Sequence, residues 1–428
     1  MTEIRPFRGL RYDPAMAPPS AVIAPPYDVV DGEDVRSLNA RSPFNIAHVE
    51  SCEASDAGYA QAAALLERWE REGALRRDEQ PALYVYEQAF EVHGGSYVRR
   101  SFFARLRIHP HEDGIVRPHE ATLTAAKEDR LRLLRATRTN VSPIFGMFED
   151  AAGRARAVLD RIATAEPAFV AVDARGESHR LWPVTAAEDI DSLVTTVAVS
   201  NVTIADGHHR YHTALNYLHE REAAGDASEA DRYILAGLVP VDDPGLVVLP
   251  IHRLIRRESV PTDLLARLTD LYDVERLDLP WSAEGVASLW ARVQREVGSR
   301  VSFGAIGLEP QAFHVLTARS AEAIEAAMPG AWSAASRALH VLILNETVLQ
   351  PLLGLDAAQR ASGAVGYTED ETEAWREVDA GAYGAAFLVD HVHVRQIVAV
   401  ADAGEVLPQK STYFYPKLAT GMVLNPLD

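Results

Sequence analysis

The segment from Ala205 to His212 constrains most strongly what this chain can fold into. The β-branched, apolar run at 202–204 just before it is typical of a buried strand. After it, apolar side chains recur at the spacing of one helix face, at Tyr211, Ala214, Leu215 and Leu218. The segment is therefore predicted to join a strand to a helix. Asp206 is then a candidate N-cap, and Gly207 permits a sharp turn.

The first turn of this predicted helix carries His208, His209 and Arg210. Backbone N–H groups and the positive end of the helix dipole meet at such a turn, which favours anions. The guanidinium of Arg210 is a planar fork suited to phosphate. We expect Asp206, Gly207 and these three residues to bind phosphate, most simply that of a nucleotide. The plain alternative is a solvated helix start without a ligand.

A metal site is a second alternative for the same segment. His208 and His212 are four positions apart, so both can face one ion, with Asp206 nearby. This spacing is common by chance, and the chain has no H-E-x-x-H motif. The zinc interpretation stays open beside the phosphate one.

Length and charge limit the number of domains and the classes of partner that this chain can have. A chain of 428 residues is too long for one compact core, so two or three domains are expected. The net charge of −19 argues against a large nucleic-acid-binding face. We therefore expect small-molecule partners, no nucleic acid, and a local basic pocket at most. Oligomeric state does not follow from the sequence.

The single cysteine, Cys52, excludes an internal disulfide framework and fits a reducing compartment. The first residues lack an apolar signal core, and no apolar run is long enough to span a bilayer. The sequence thus predicts a cytoplasmic protein without a membrane partner.

Three regions follow from composition and periodicity. Region 1–110 has a proline-rich start, a helix at 56–73 and a hairpin of strands 82–92 and 97–106. Region 111–250 holds the chemistry, with predicted helices at 124–138, 152–163, 186–199 and after 207, and strands at 142–148, 233–241 and 246–251. Region 251–428 alternates predicted strands at 300–303, 312–317, 364–368 and 385–389 with helices at 318–328 and 332–353.

The C-terminal segment 408–418 places hydroxyl and aromatic side chains between Lys410 and Lys417. Two lysines in such a segment can close over an anion. The alternative is a surface strand and turn.

Over nearly its whole length the chain resembles the bacterial and archaeal domain-of-unknown-function family 1015. The segments that carry this resemblance are 4–11, 24–30, 117–120 with Asp129-Arg130, 142–145, 204–211, 249–253 and 410–421.

The central region resembles the ParB/sulfiredoxin-like nucleotide-binding superfamily, in which a similar histidine- and arginine-bearing turn holds nucleotide phosphate. This resemblance implies an α+β (mixed α/β) fold, with that core at 111–250 and α/β additions on either side. Free-serine kinases of the superfamily share the order His119-Glu120, Arg130 and Asp206 to Arg210. Here 85 residues separate Glu120 from Asp206, more than those kinases use, and an insertion at about 150–198 would account for the difference.

The resemblance implies a nucleotide-dependent phosphotransferase that acts on a small hydroxylated metabolite, with free L-serine converted to O-phosphoserine as the best candidate. ATP or ADP would be the donor and Mg²⁺ the cofactor, with Asp206 as its ligand. His208 or His209 would donate to the transferring group, and Glu120 would accept the hydroxyl proton. Alternatively, Glu120 is only a favourable charge at a helix start.

Three further residues, His119, Arg130 and Lys410, are candidates for binding the substrate. Arg130 lies on a helix rich in Lys and Arg, and a solvated basic face is the competing interpretation. Two other functions stay open at this point: a nucleotide-binding regulatory protein without turnover, and a metal- or nucleotide-dependent hydrolase.

Overall fold

The computed structural model describes residues 1–121, 124–296 and 300–428. The chain divides into two compact units. The first unit contains Met1–Pro118, Thr122–Val247 and Pro416–Asp428. The second contains His119–Ala121 and Val248–Tyr415. The regions 1–110 and 111–250 that the sequence separates thus both contribute to the first unit.

A nine-stranded mixed sheet forms the centre of the first unit. Its strands lie in the order Val116–Arg117, Val202–Asp206, Ile144–Phe148, Tyr233–Pro240, Gly95–Arg107, Leu83–Val92, Ser178–Val184 and Phe169–Val172, and Ile4–Arg5 also pairs with Gly95–Arg107. Two ladders are parallel, 116–117 with 202–206 and 144–148 with 233–240, and the others are antiparallel.

Burial explains why the middle strands read as unbroken apolar runs. Every residue of Ile144–Phe148 and of Tyr233–Pro240 is buried, as expected for parallel neighbours inside a sheet. Val202 and Ile204 share one hydrophobic core with Tyr211 and Ala214 from the helix that follows them.

The helices of the first unit are Pro19–Val22, Gly32–Arg41, Ala47–Glu50, Asp56–Glu72, Thr124–Thr137, Arg154–Ile162, Ala187–Ala198 and His208–Ala224, with 3-10 turns at Tyr27–Val29, His111–Asp113 and Ala230–Arg232. Two short ladders join Leu10–Tyr12 to Leu75–Arg77 and Thr139–Asn140 to Asn425–Pro426. The helix predicted at 56–73 is confirmed: Ser55 caps its start and Gly73, at φ 79°, ends it. The predicted hairpin is confirmed as Leu83–Val92 and Gly95–Arg107.

The segment 150–198 extends the same sheet. It contributes the helices Arg154–Ile162 and Ala187–Ala198 and the edge strands Phe169–Val172 and Ser178–Val184. The helices at 152–163 and 186–199 are therefore confirmed within one or two residues at each end.

The second unit has an antiparallel six-stranded sheet in the order Tyr272–Leu277, Phe313–Ala318, Ser302–Ile306, Ala385–Leu388, His252–Ile255 and Val365–Thr368. A separate ladder pairs Val247–Leu249 with Tyr413–Tyr415. Its helices are Leu264–Leu268, Ala283–Gln294, Ala321–Ala327, Ala334–Arg337, His340–Leu344, Gln350–Leu353, Ala357–Ala361, Glu371–Asp379 and Val394–Asp402, with a 3-10 turn at Arg257–Ser259 and a π-helical turn at Asn345–Leu349.

The prediction of one helix over 332–353 is wrong. Extended backbone at Leu339, with ψ 121°, separates Ala334–Arg337 from His340–Leu344, and the π-helical turn interrupts the regular α-helix further on. Apolar periodicity continues across such breaks, because it records burial and not the hydrogen-bond pattern.

Both units combine sheets with helices, so the predicted mixed α/β class is confirmed. Within the described ranges, no helix is both long enough and apolar enough to cross a membrane.

Candidate functional site

The predicted strand–turn–helix is present as the strand Val202–Asp206, Gly207 and the helix His208–Ala224. The N-cap is Gly207 and not Asp206, which corrects the prediction. Gly207 has φ 87°, a left-handed conformation that glycine adopts without strain. A Cβ atom here would lie 3.1 Å from the Cα of Ile144 and 3.1 Å from Nε of Arg210. The backbone turn is therefore tightly enclosed on one side.

Asp206 does not cap the helix because both carboxylate oxygens bind cations. Oδ1 accepts a hydrogen bond from Nζ of Lys417 at 2.5 Å, and Oδ2 accepts one from Nη2 of Arg210 at 2.6 Å. Burial alone would raise the pKa of Asp206, but the charges of Lys417 and Arg210 outweigh it and hold the pKa well below its ordinary value. Asp206 is a half-buried anion shared between two cations.

Arg210 is 8% exposed, and its guanidinium is held on several sides. Nη1 donates to the carbonyl of Pro143, Nη2 donates to Asp206, and the Asp28 carboxylate lies 3.7 Å away. Burial opposes the charge, but Asp206 and Asp28 raise the pKa of Arg210 above its ordinary value. Arg210 thus carries a fixed positive charge at the helix start.

Arg130, predicted to bind substrate, lies beside the same turn. Its guanidinium stacks over the ring of Tyr27 at 4.2 Å, donates to the carbonyl of Glu50 at 2.7 Å and pairs with Asp129. Arg130 is 8% exposed, so it does not belong to a solvated basic face.

Arg130 and Arg210 line one small cavity of about 50 Å³ together with Glu50 and Ser142. The Ser142 hydroxyl donates to Glu50 at 2.6 Å. Small-molecule sites usually have 300–1,000 Å³, so this cavity is too small for a nucleotide. It places two guanidinium groups and one carboxylate next to the turn.

Three residues of this site, Tyr27, Asp28 and Glu50, were not assigned roles from the sequence, and Lys417 was predicted only as one of two lysines that can close over an anion. Tyr27, Asp28 and Lys417 lie in segments that carry the family resemblance, which was the available signal. Burial raises the pKa of Tyr27 to about 12, so its hydroxyl stays protonated near neutral pH. Nothing in the local pattern indicates that these residues meet.

His208 and His209 are half-buried in the first turn, where they were predicted. His212 lies instead beside His111, with Nδ1 of His212 3.3 Å from Nε2 of His111. His208, His212 and Asp206 are not among the clusters of three ligand atoms found in the described part of the chain. The zinc alternative at this turn therefore lacks geometric support.

Direct binding of Mg²⁺ by Asp206 does not fit this arrangement. Its two oxygens already accept from Lys417 and Arg210, and these two positive charges repel a divalent cation. A magnesium ion brought by a nucleotide would have to be held through the nucleotide's own phosphates.

Glu120 and His119 belong to the second unit. Glu120 forms an isolated parallel bridge with Leu407, and it precedes the first described residue of the helix Thr124–Thr137 by four positions. Whether Glu120 acts as a proton acceptor or only as a favourable charge near the start of that helix stays a prediction. Burial lowers the pKa of Arg253 and raises the pKa of Tyr367, and the negative charge of Glu120 adds a small upward contribution to each.

His119 is buried, and its Nε2 lies 2.8 Å from the hydroxyl of Thr412. Lys410 is exposed in the second unit at φ 61°, and its carbonyl accepts from Arg253. Of the two C-terminal lysines, Lys417 is the one that reaches Asp206. The roles of Glu120, His119 and Lys410 remain predictions.

The second unit also contains a cavity of about 430 Å³, which the sequence did not indicate. Its lining includes His340, Asp390, His391 and His393. Asp390 accepts hydrogen bonds from its neighbours Gln294 and His391. This volume lies within the usual range of small-molecule sites.

The chain belongs to the family described as "Protein of unknown function (DUF1015)", which it matches over residues 4–343. The mixed α/β fold is similar to that of a free serine kinase variant in complex with ADP, at 12% identity and TM-score 0.33, covering 73% of this chain and 86% of the other. A conserved hypothetical protein from Pyrococcus furiosus matches at 13% identity and TM-score 0.33, covering 74% and 93% respectively.

A C-terminally truncated SbnI from Staphylococcus aureus matches at 11% identity and TM-score 0.33, covering 76% of this chain and 87% of that one. No curated protein matches the sequence significantly.

Proposed function

We propose that this chain binds the phosphate groups of a nucleotide at Gly207 and the first turn of the helix His208–Ala224. We further propose that it transfers a phosphoryl group to a small hydroxylated metabolite, with free L-serine the best candidate. The observation that carries the proposal is the pairing of Asp206 with Lys417 and Arg210, which fixes two cations beside a helix N-terminus.

The chemistry of this turn suits phosphate. Gly207 has no side chain that could accept hydrogen bonds from the backbone N–H groups of the first turn. The helix dipole adds positive potential at the same place. Lys417 brings an ammonium to the same place. Because Asp206 and the carbonyl of Pro143 hold Arg210, its role is to fix the turn's charge and to orient Asp206 as well as to attract phosphate.

The remaining roles follow the same proposal. His208 or His209 donates to the transferring phosphoryl group, and Glu120 accepts the proton of the acceptor hydroxyl. Phosphoryl transfer has a loose transition state, so positioning and charge neutralisation contribute more than a strong base. ATP or ADP is the proposed donor, and Mg²⁺ would neutralise the nucleotide phosphates. Arg130, His119 and Lys410 are proposed to bind the acceptor.

The direct test incubates purified protein with Mg²⁺, ATP or ADP, and L-serine, and measures phosphoserine by mass spectrometry. Phosphoserine that requires both nucleotide and serine supports the proposal. Tight nucleotide binding without product indicates a regulatory protein, and nucleotide loss without serine indicates a hydrolase; either result overturns it. Glycerol, glycerate and threonine are tested in parallel as acceptors. Product with one of them would mean that serine is the wrong acceptor, whereas no product with any of them would mean that the activity is missing.

Lys417→Met is the matched variant for this assay, and Arg267→Met, which removes an exposed cation paired with Asp263 in the second unit, serves as the control for loss of one positive charge. Lys417→Met is expected to lower nucleotide-dependent product at sub-saturating nucleotide, while the control leaves it unchanged.

A further inference from the structure

A second cluster of polar side chains lies in the first unit, on the hairpin between Phe169–Val172 and Ser178–Val184. The backbone N–H of Asp173 donates to the carbonyl of Glu177 at 3.0 Å, which closes the turn, and Gly176 at φ 83° permits its geometry. Glu177 directly precedes the strand Ser178–Val184, and His179 is the second residue of that strand. One ligand atom each from Asp173, Glu177 and His179 lies within 4.8 Å of the other two.

His179 is the member of this cluster whose surroundings point to a ligand. The residue is 1% exposed, and its Nδ1 lies 2.7 Å from the hydroxyl of Tyr86. Within the described part of the chain, its Nε2 is buried and has no hydrogen-bond partner. An unmade hydrogen bond on a buried nitrogen costs about 1–3 kcal/mol, and the carboxylates of Asp173 and Glu177 lie close to His179.

The carboxylate oxygen Oδ2 of Asp173 lies 3.7 Å from Nε2. This separation is too long for a hydrogen bond, which rarely exceeds about 3.2 Å. It matches the distance between two ligands of one tetrahedral ion, since bonds of roughly 2.0–2.2 Å place their outer atoms about 3.3–3.6 Å apart. A small adjustment would bring both atoms into one coordination shell.

We propose that Asp173, Glu177 and His179 form a binding site for a divalent transition-metal ion, with Zn²⁺ the preferred occupant. One imidazole nitrogen and two carboxylate oxygens form a ligand set that Zn²⁺ accepts, and the two carboxylates balance its charge. This site is independent of the proposed phosphotransfer, because none of its ligands belongs to the turn at Gly207.

Tyr86 supplies the supporting contact that such a site requires. When Nδ1 of His179 donates its proton to the Tyr86 oxygen, the lone pair of Nε2 is left to bind the ion. The Tyr86 hydroxyl also accepts from the backbone N–H of Ala419 at 3.4 Å. The site therefore connects the hairpin to the C-terminal segment that carries Lys417.

The competing state has no metal and a charged His179 beside Asp173. Burial raises the pKa of Asp173, but His179 and the backbone N–H groups of the turn lower it overall, which suits either state. The two states differ in where the proton is: a bound Zn²⁺ keeps Nε2 deprotonated, whereas the ion pair needs it protonated.

The test measures Zn²⁺ binding to chelator-treated full-length protein by isothermal titration calorimetry, with stoichiometry checked by elemental analysis. Asp173→Asn is the sharpest variant, because its remaining oxygen can still accept from the N–H groups of Arg175 and Glu177, which hold the turn at 2.8 and 2.9 Å. His179→Gln and Glu177→Gln remove the other ligands. His219→Gln, at an exposed helix position, is the matched histidine control.

One Zn²⁺ per chain is expected in the wild type, with an affinity that falls at least about tenfold in each ligand variant and is unchanged in His219→Gln. Circular dichroism and thermal unfolding without metal establish that the variants fold. If folded Asp173→Asn and Glu177→Gln bind Zn²⁺ as tightly as the wild type, or if the wild type binds no Zn²⁺, the metal site is wrong. Preference for Mn²⁺ or Mg²⁺ over Zn²⁺ would overturn the choice of ion.

Discussion

The ammonium of Lys417 lies 2.5 Å from Oδ1 of Asp206, although 211 positions separate the two residues. The last residues of the chain, Pro416–Asp428, thus return to the first unit and complete a turn that the middle of the sequence builds. Since Lys417 is 12% exposed and Asp206 is 15% exposed, solvent screens this pair only weakly. The pair is therefore expected to affect both folding and ligand binding.

Arg210→Ala should destabilise the protein by about 3–5 kcal/mol, the range for removing one partner of a buried ion pair. The variant leaves Asp206 with Lys417 alone and removes the donor to the carbonyl of Pro143. Urea unfolding measures the effect. Arg135→Ala, which removes an exposed ion pair with Glu220 on the same helix, is the control and should cost less than about 1 kcal/mol.

If folded Arg210→Ala is obtained under stabilising conditions, its nucleotide affinity should be lower by about 1.5–3 kcal/mol, the range for a hydrogen bond to a charged group. Unchanged affinity by calorimetry would contradict the assignment of phosphate to this turn.

Gly207→Ala should reduce phosphate binding more than it reduces stability. The added Cβ strains a left-handed backbone, at a cost of about 1–2 kcal/mol, and it would lie 3.1 Å from the backbone of Ile144. Gly225→Ala is the matched control, because Gly225 has φ 76° at the other end of the same helix and no atom near its Cβ position. Equal nucleotide affinity in the two variants would exclude the turn at Gly207 as the phosphate site.

Glu120→Gln tests mechanism apart from binding. The change preserves size but removes the proton acceptor, so turnover should fall by roughly 10²–10⁴-fold, towards the smaller end because the transition state is loose. Nucleotide affinity should stay close to that of the wild type. Lost affinity with unchanged turnover at saturation would instead assign Glu120 to ligand binding.

The stability of the protein in acid should depend on Asp206. Its pKa is lowered in the folded state from an unfolded value of about 3.9. Its contribution to the free energy of unfolding is therefore complete above that unfolded value and is lost as the pH falls towards the folded one. The stability difference between wild type and Asp206→Asn should be constant near neutral pH and shrink below about pH 4. Urea unfolding over pH 3–7 measures it, and a difference that grows in acid would contradict the pairing.

The local sequence was sufficient to predict those helices, strands and turns that are determined by residues close together in the chain. The strand Val202–Asp206 and its helix follow from apolar periodicity, and the hairpin at Gly94-Gly95 follows from its turn residues. The prediction of Asp206 as the N-cap was wrong. Its carboxylate accepts hydrogen bonds from the charged groups of Lys417 and Arg210, which bind it more strongly than the backbone N–H groups at the helix start.

The sequence by itself determined the family of the chain, its mixed α/β class and the residue types gathered at the turn after Asp206. Only the tertiary structure decided which side chains meet there: Lys417 and not Lys410 pairs with Asp206, and Arg130 stacks on Tyr27. It also brought one ligand atom each from Asp173, Glu177 and His179 within 4.8 Å of one another. The physical reason is the separation along the chain over which each effect acts. Periodicity and turn chemistry act over a few residues, whereas buried charges are paired by whichever segments the packing of the core brings together.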